Sequence, residues 1–550
     1  MPYNTSNYMT YNFKILGLIL AGLIALIIGS TTDYLEKGFQ YLTSSKQDSA
    51  QNNTNNPNKQ SPTPIITKNF DVVVYGDELQ GICAAIWAKK TLGDEAKVTL
   101  VRSNVANEPL GGLLTRGGLA FIDYDKTNWY NQPVAQCFRD FLTRTNVVVS
   151  CLAADRAEQA MQEMLAEAGV SIIHESPLIP HVENQTIQYV DVKASNIRLQ
   201  ANSYIDATQD AELARKAGLA YYRGYESQNP ELANETLSVS LVPLITGLSI
   251  SELRAIEQKI FSNGDLMNQI EASIRKNEDA EGVRFWLSNF RTPLYHSSAD
   301  GYYHKSIAFG AAYQLHRNQP FGLEGFFLDR SNICLLPDNS LSWNGLLFKY
   351  QVKQLLEIEE NARKPTQEMK EEMVAFEAWL RKLSGKEDVK VIIPQEIYIR
   401  HTLSIKDVIN PLTGQEIIKG GTTPEKSIGS FSYNFDLRGG VNGLAIRVPP
   451  IPVYNFGIEN TLAKNVNNLA IVGRSSGYVG MAVSVGRIQT VNIYQGQGVG
   501  VAAGIAKQLG VPLNTITASQ VRKTLENLTG LTTQLYGRDT TQGVDYSNIK

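Results

Sequence analysis

Apolar and polar positions divide the chain into three regimes. From Phe13 to Ile28 (FKILGLILAGLIALII) almost every residue is apolar and no polar face appears. At 1.5 Å per residue this run is roughly 24 Å long; extended over residues 11–32 it would span a ~30 Å hydrocarbon core, with Lys14 snorkelling and Tyr8, Tyr11 and Tyr34 near the interfaces. Ile28-Gly29-Ser30 is a poor cleavage sequence, so residues 1–42 are read as a retained single-pass anchor rather than a signal peptide. From Thr43 onward Ser, Gln, Asn, Thr and Pro dominate (SSKQDSAQNNTNNPNKQSPTP), and residues 43–68 are expected to be a disordered linker. Beyond Asn69 short strand-like and helix-like patterns alternate. Phe70 to Gly76 (FDVVVYG) reads as a buried strand, Leu79 to Leu92 as a helix and Lys97 to Arg102 (KVTLVR) as a second strand. Pro365 to Leu383 predicts a helix whose apolar face runs through Met369, Met373, Phe376 and Leu380.

Length adds that 550 residues are too many for one core. The formal net charge of −3, without a long basic run, excludes a nucleic-acid binder that would need clustered Lys and Arg. Lys14, at the N-terminal edge of the apolar run, and the amino terminus are the positive charges on that side, and Asp33, Glu36 and Lys37 follow the run. This slight asymmetry puts the body outside, whereas no twin-arginine signal supports export of a folded domain. Four cysteines (Cys83, Cys137, Cys151, Cys334) and six histidines show no metal-ligand spacing. The cysteines are expected to be buried free thiols, and no metal is expected.

Strand, glycine turn, helix and strand within some thirty residues form the βαβ unit that holds a dinucleotide diphosphate at a helix N-terminus. Gly76, Leu79, Gln80 and Gly81 belong to that turn, but the G-x-G-x-x-G pattern has Glu78 where the middle glycine belongs. Arg102 stands where an acid normally accepts ribose hydroxyls, and Ser103 is the substitute acceptor. Arg102 would also suit the 2′-phosphate of NADPH, which keeps an NADPH-binding reductase without flavin as a rival reading.

Pro109 to Ala120 (PLGGLLTRGGLA) resembles the GG-x-L-T-x-GGL segment of the FAD-dependent oxidoreductase family, a group of glutathione-reductase-type flavoproteins. Ala201 to Gly218 (ANSYIDATQDAELARKAG) is similar to that family's D-A-T-G-D turn, with Gln209 in place of its glycine. Asn468 to Lys507 resembles its closing segment, a strand ending in Gly473-Arg474 followed by GQ-x-x-G-x-A-A. Gln395 to Asn410 and Lys426 to Gly440 also look like family sequence.

The resemblance implies an α/β fold: a Rossmann-like three-layer FAD-binding domain in two pieces, 69–218 and 431–510, split by an inserted α+β substrate or cap domain over 219–430. A C-terminal helix and loose tail would fill 511–550. It implies FAD as cofactor, held by the residues named above together with Gly111, Gly112, Leu113, Leu114, Thr115, Thr208, Asp210, Gly473, Arg474, Gly496 and Gln497. The last two would open a helix aimed at the flavin. Thr208 and Asp210 have a plainer explanation as caps of the helix that follows. The implied function is hydride transfer between an unidentified small molecule and bound flavin. No motif announces a general base; by position the candidates are Arg116, Arg400, His401, Tyr433, Asp436 and Arg438. Arg400 could hold an anionic substrate through a bidentate contact, or be a surface or domain-interface arginine; His401 reads as a core histidine. The alternative is a degenerate, membrane-attached nucleotide-binding or scaffold protein, motivated by Glu78, Arg102 and Gln209. Membrane lipid and a small-molecule substrate are the expected partners, and no electron acceptor is indicated.

Overall fold

The computed structural model describes residues 64–550 except 104–107, 126, 128–130, 148–149, 175, 278–279, 292–294, 297–302 and 322–325. The expected anchor and residues 43–63 of the expected linker lie outside the described residues, among which no helix is long and apolar enough to cross a membrane. The linker's last residues, Ile66 to Lys68, are instead the start of an ordered strand paired with Ile197 to Leu199.

The first domain is a seven-stranded sheet. Its strands are β1 (Ile66–Tyr75), β2 (Val98–Val101), β3 (Ser171–Ile173), β4 (Leu178–Glu183), β5 (Thr186–Val192), β6 (Ile197–Asp206) and, much later, β14 (Leu469–Ile471). The spatial order is β3-β2-β1-β6-β5-β4, with β14 also on β6. Val72 to Tyr75 are fully buried because both faces of β1 are covered, which explains the unbroken apolar run. β1 pairs β6 in parallel up to Tyr75↔Asp206, and β14 pairs β6 up to Ile471↔Asp206, so three strands end together. Gly76 sits at that edge with φ 117°, and a Cβ there would lie 2.5 Å from the Ala207 carbonyl carbon; only glycine fits.

Helix α1 (Leu79–Leu92) follows β1, with α2 (Gln136–Thr145), α3 (Ala154–Ala168) and the short α4 (Glu212–Lys216) further along. The second domain carries another seven-stranded sheet. Its strands are β7 (Val239–Leu241), β8 (Leu244–Thr246), β9 (Tyr295–His296), β10 (Tyr303–Lys305), β11 (Phe326–Leu335), β12 (Leu341–Phe348) and β13 (Lys390–Ile392). Helices α5 (Ile250–Ser262), α6 (Gly264–Ile274), α7 (Ala280–Asn289), α8 (Ile307–His316), α9 (Val352–Glu360) and α10 (Gln367–Ser384) accompany it. Met369, Met373, Phe376 and Leu380 of α10 are buried in this domain's own core. The elements of this sheet run from 239 to 392, a narrower span than 219–430. Leu403, Leu412, Ile417 and Ile428 pack into the clusters of the first domain instead.

Three expectations are corrected. Helix α11 spans Gln489–Leu509, so Gly496 and Gln497 lie mid-helix and do not open it toward a flavin. Gly496, Gly500 and Gly504, one face at spacing four, press on α1: Cβ atoms there would come within 2.2 Å of Gln80 O, 2.2 Å of Ala84 O and 2.6 Å of Thr91 Cβ. The Gln497 side chain serves packing, accepting from Cys137 N and donating to Pro133 O, both at 2.8 Å. Second, the cysteines are disulfide-bonded: Cys83–Cys137 joins α1 to α2, and Cys151–Cys334 joins the first domain to β11, with Cα separations of 5.9 and 5.6 Å. Sequence separations of 54 and 183 residues left no local spacing to betray the pairing. Third, the residues after α12 (Ala518–Thr529) are docked rather than loose: Ile549 is fully buried and Lys550 O accepts from Gly414 N and Met481 N, both at 3.0 Å.

Candidate functional site

The carboxyl ends of β1, β2, β6 and β14 converge where a doubly wound sheet receives a dinucleotide. Glu78 leaves the β1 turn as the residue before α1. Its Oε1 accepts from Gln209 Nε2 at 2.6 Å, from the β6 end. Arg474, just past β14, donates to both carboxylate oxygens at 2.9 and 3.1 Å, and Gln80 Nε2 donates to Oε2 at 2.8 Å. Arg474 also donates to Gln209 Oε1 at 2.8 Å, closing a three-way junction. The glycine loop lies directly on this junction: at Gly112 (φ 55°) a Cβ would stand 2.6 Å from Glu78 Cγ.

Beside it Asp77 accepts from Arg102 Nε at 3.0 Å and from Arg116 at 2.7 and 2.9 Å. Burial alone would raise the Asp77 carboxyl; the Arg116 and Arg102 guanidiniums outweigh it and hold it at about 2. Arg102 also donates to the carbonyls of Glu108 and Pro109 at 2.7 and 3.0 Å, so it braces the glycine loop where a ribose acceptor was expected. Arg116 continues to Glu396 at 2.7 Å, and Arg363 reaches the same carboxylate at 3.2 Å. Asp77, Glu78, Arg102, Arg116, Gln209 and Arg474 are each between 2% and 5% exposed, and their charged and amide groups are turned to one another. Ser103 is buried nearby, as are Leu79, Gly81, Leu113, Leu114 and Thr115. Thr208 Oγ1 accepts from Glu212 N at 2.8 Å and Asp210 pairs with Arg215, both serving α4.

A separate cavity of about 1080 Å³ opens between the two domains. Aromatic rings of Phe121, Trp286, Phe327, Tyr398 and Tyr433 line it, and its walls include neither positions 76–81 nor 111–115. Asp329 of β11 grips Arg438 through two bonds of 2.7 and 2.9 Å, and Arg487 pairs with Asp436 at 2.5 Å. Tyr433 Oη donates to Asp123 Oδ1 at 2.8 Å, and burial pushes the Asp123 carboxyl up. Arg400 is fully buried in the wall. It donates to Ser238 O at 2.6 Å and Ser240 Oγ at 2.7 Å, with its guanidinium 4.5 Å from the Tyr398 ring centre. Among the described residues it has no carboxylate partner and its Nε has no acceptor. Burial, and then the charge of Arg438, hold it down at about 9.

Of the sequence-derived candidates, Arg400, Tyr433, Asp436 and Arg438 meet on this cavity, while Arg116 belongs to the buried ion-pair network. His401 lies outside the cavity wall, with Nε2 at 2.9 Å from Ser404 Oγ. Burial, and then the Arg474 charge, hold it at about 3, so it stays neutral. Asp123, Asp329 and Arg487 were not anticipated. Arg487 stood within the matched closing segment, but nothing local marked Asp123 or Asp329.

Two α/β layers, an inserted second sheet and strand ends meeting at a glycine turn define a capped dinucleotide-binding architecture. The FAD-dependent oxidoreductase family matches residues 71–525, and the chain belongs to it; FAD is that family's cofactor. No curated protein matches the chain. Among solved structures, a geranylgeranyl bacteriochlorophyll reductase-like protein from Thermoplasma acidophilum is 11% identical, covering 84% of this chain and 83% of that one at a TM-score of 0.36. A flavin-dependent brominase is 9% identical over 84% and 83% at 0.36, and a myxobacterial FAD-dependent halogenase 10% identical over 84% and 78% at 0.37.

The diphosphate of FAD must lie over the turn at Gly76–Gly81. In the folded chain that place holds the Glu78 carboxylate. Two unit negative charges roughly 4 Å apart at an effective dielectric of about 20 repel by about 4 kcal/mol. To admit the diphosphate, Glu78 would have to leave the turn and give Arg474 up to the cofactor. The residues present do not fit the dinucleotide.

Proposed function

We propose that the chain takes an anionic small molecule with an apolar body into the interdomain cavity. The observation that carries this is Arg400, a buried guanidinium in the cavity wall with no carboxylate partner among the described residues, in contrast to Arg438 and Arg487. The wall's three arginines (Arg400, Arg438, Arg487) and three aspartates (Asp123, Asp329, Asp436) balance, but Arg400 has no carboxylate contact of its own and so favours an anion, and the surrounding rings favour an aromatic or aliphatic remainder. The hydride exchange implied by the family would need a flavin against this cavity; with the diphosphate place filled, no step is routed through it. The Glu78–Arg474 pair specifically favours a second reading, a non-catalytic binding member of the family.

The two disulfides support a body on an oxidising side of the membrane, in line with the orientation of the expected anchor.

The binding reading is tested with an aromatic sulfonate, 8-anilinonaphthalene-1-sulfonate, on the wild-type chain and Arg400→Gln, with near-ultraviolet dichroism confirming native packing. Wild-type binding that weakens roughly tenfold in the variant, one lost charge contact, while a neutral dye is unaffected, supports it. Equal binding by both proteins would sink it.

A further inference from the structure

We propose that Glu78 is an internal substitute for the dinucleotide diphosphate, so that this chain folds and keeps its nucleotide cleft closed without FAD. The departures from the family pattern are not scattered losses. Glu78 and Gln209, two of the three, bond each other, and both bond Arg474. Arg102, the third, pairs with Asp77 of the same turn. A cleft that had merely lost its ligand would leave buried guanidiniums and amides facing a void, at a cost that selection against instability resists. Here both Glu78 oxygens and the Arg474 guanidinium are satisfied, while Gln80 Oε1 in the same turn has no partner among the described residues.

The substitution also reproduces a mechanical role. A diphosphate over the turn would tie the ends of β1, β6 and β14 together, and the Glu78–Gln209–Arg474 junction ties the same three ends. Through Asp77, Arg116, Glu396 and Arg363 the network reaches across to the segment that follows β13 and to the end of α9. These ion pairs link the second domain to the first directly. This inference rests on the nucleotide cleft alone and stands apart from the reading of the interdomain cavity.

The test compares FAD and inorganic pyrophosphate binding by the full chain in detergent for wild type, E78G and E78Q, followed by flavin fluorescence quenching and by thermal midpoint. Wild type should show neither quenching nor a shift. E78G should bind FAD at least roughly tenfold tighter, the scale of one removed charge clash, with its midpoint raised by both ligands. E78Q keeps the side-chain volume and covers the case in which E78G does not fold; it should gain less. Wild-type protein that takes up FAD stoichiometrically, or folded variants that bind it no better than wild type, would overturn the proposal.

Discussion

Glu78 and Arg474 stand 396 residues apart in the chain, yet a guanidinium nitrogen of one lies 2.9 Å from a carboxylate oxygen of the other in a cleft closed to solvent. Removing one member of such a pair leaves an uncompensated buried charge, costing about 3–5 kcal/mol, whereas apolar replacement of both is often nearly neutral. Arg474→Met should therefore destabilise strongly, and adding Glu78→Leu should recover most of the loss. Urea unfolding of the double-mutant cycle measures it. Additive losses would show that the two side chains do not act as a pair.

The disulfides make a second prediction. Each closes a long loop, and loss of such a link costs roughly 2–5 kcal/mol. Alkylation without reductant should modify no cysteine of the native chain, and Cys151→Ala with Cys334→Ala should lower the unfolding midpoint. Free thiols in freshly purified protein would refute the pairing, and with it the support for an oxidising compartment.

His401 gives a pH dependence with a fixed sign. Its folded value of about 3 lies below its ordinary 6.5, so as pH falls below 6.5 the unfolded chain takes a proton that the folded chain refuses. Its contribution to stability is present above 6.5 and is lost as pH falls toward 3, approaching ~1.4 kcal/mol per pH unit at full slope. His401→Gln should flatten the dependence of the urea midpoint on pH between these limits. An unchanged profile would mean that His401 is protonated in the fold.

Gly500 reports on the α1–α11 contact. A methyl group there would lie 2.2 Å from Ala84 O, backbone that cannot yield cheaply. Gly500→Ala should cost about 1–3 kcal/mol by overpacking, more than Gly510→Ala, where nothing stands within 4 Å and only a φ of 64° is strained. Equal thermal midpoints would contradict the close packing.

The legible parts of this fold were those written in local pattern. The valine run of β1, the span of α1 and the face of α10 through Met369 and Phe376 follow from periodicity, and the return of residues 469–472 to the sheet followed from family resemblance. What stayed hidden depends on residues meeting across the chain. Glu78, Arg102 and Gln209 each read as a defect when taken singly. Only folding shows that Gln209 and Arg474 are the partners of Glu78 and that Asp77 is the partner of Arg102. The disulfides were hidden for the same reason, and the Gly496 face was misassigned because a glycine stripe fits either a flavin or a neighbouring helix. Arg400 was visible as a candidate, but its lack of a carboxylate is a property of its surroundings.

The most direct test of the closed cleft is the visible absorption spectrum of the full chain, as purified and again after incubation with excess FAD and desalting. A protein with no flavin bands in either sample, folded by circular dichroism, is the predicted result. A yellow protein retaining about one FAD per chain, the stoichiometry of a single dinucleotide site, would contradict the account: Glu78 would then have to leave Arg474 to the cofactor.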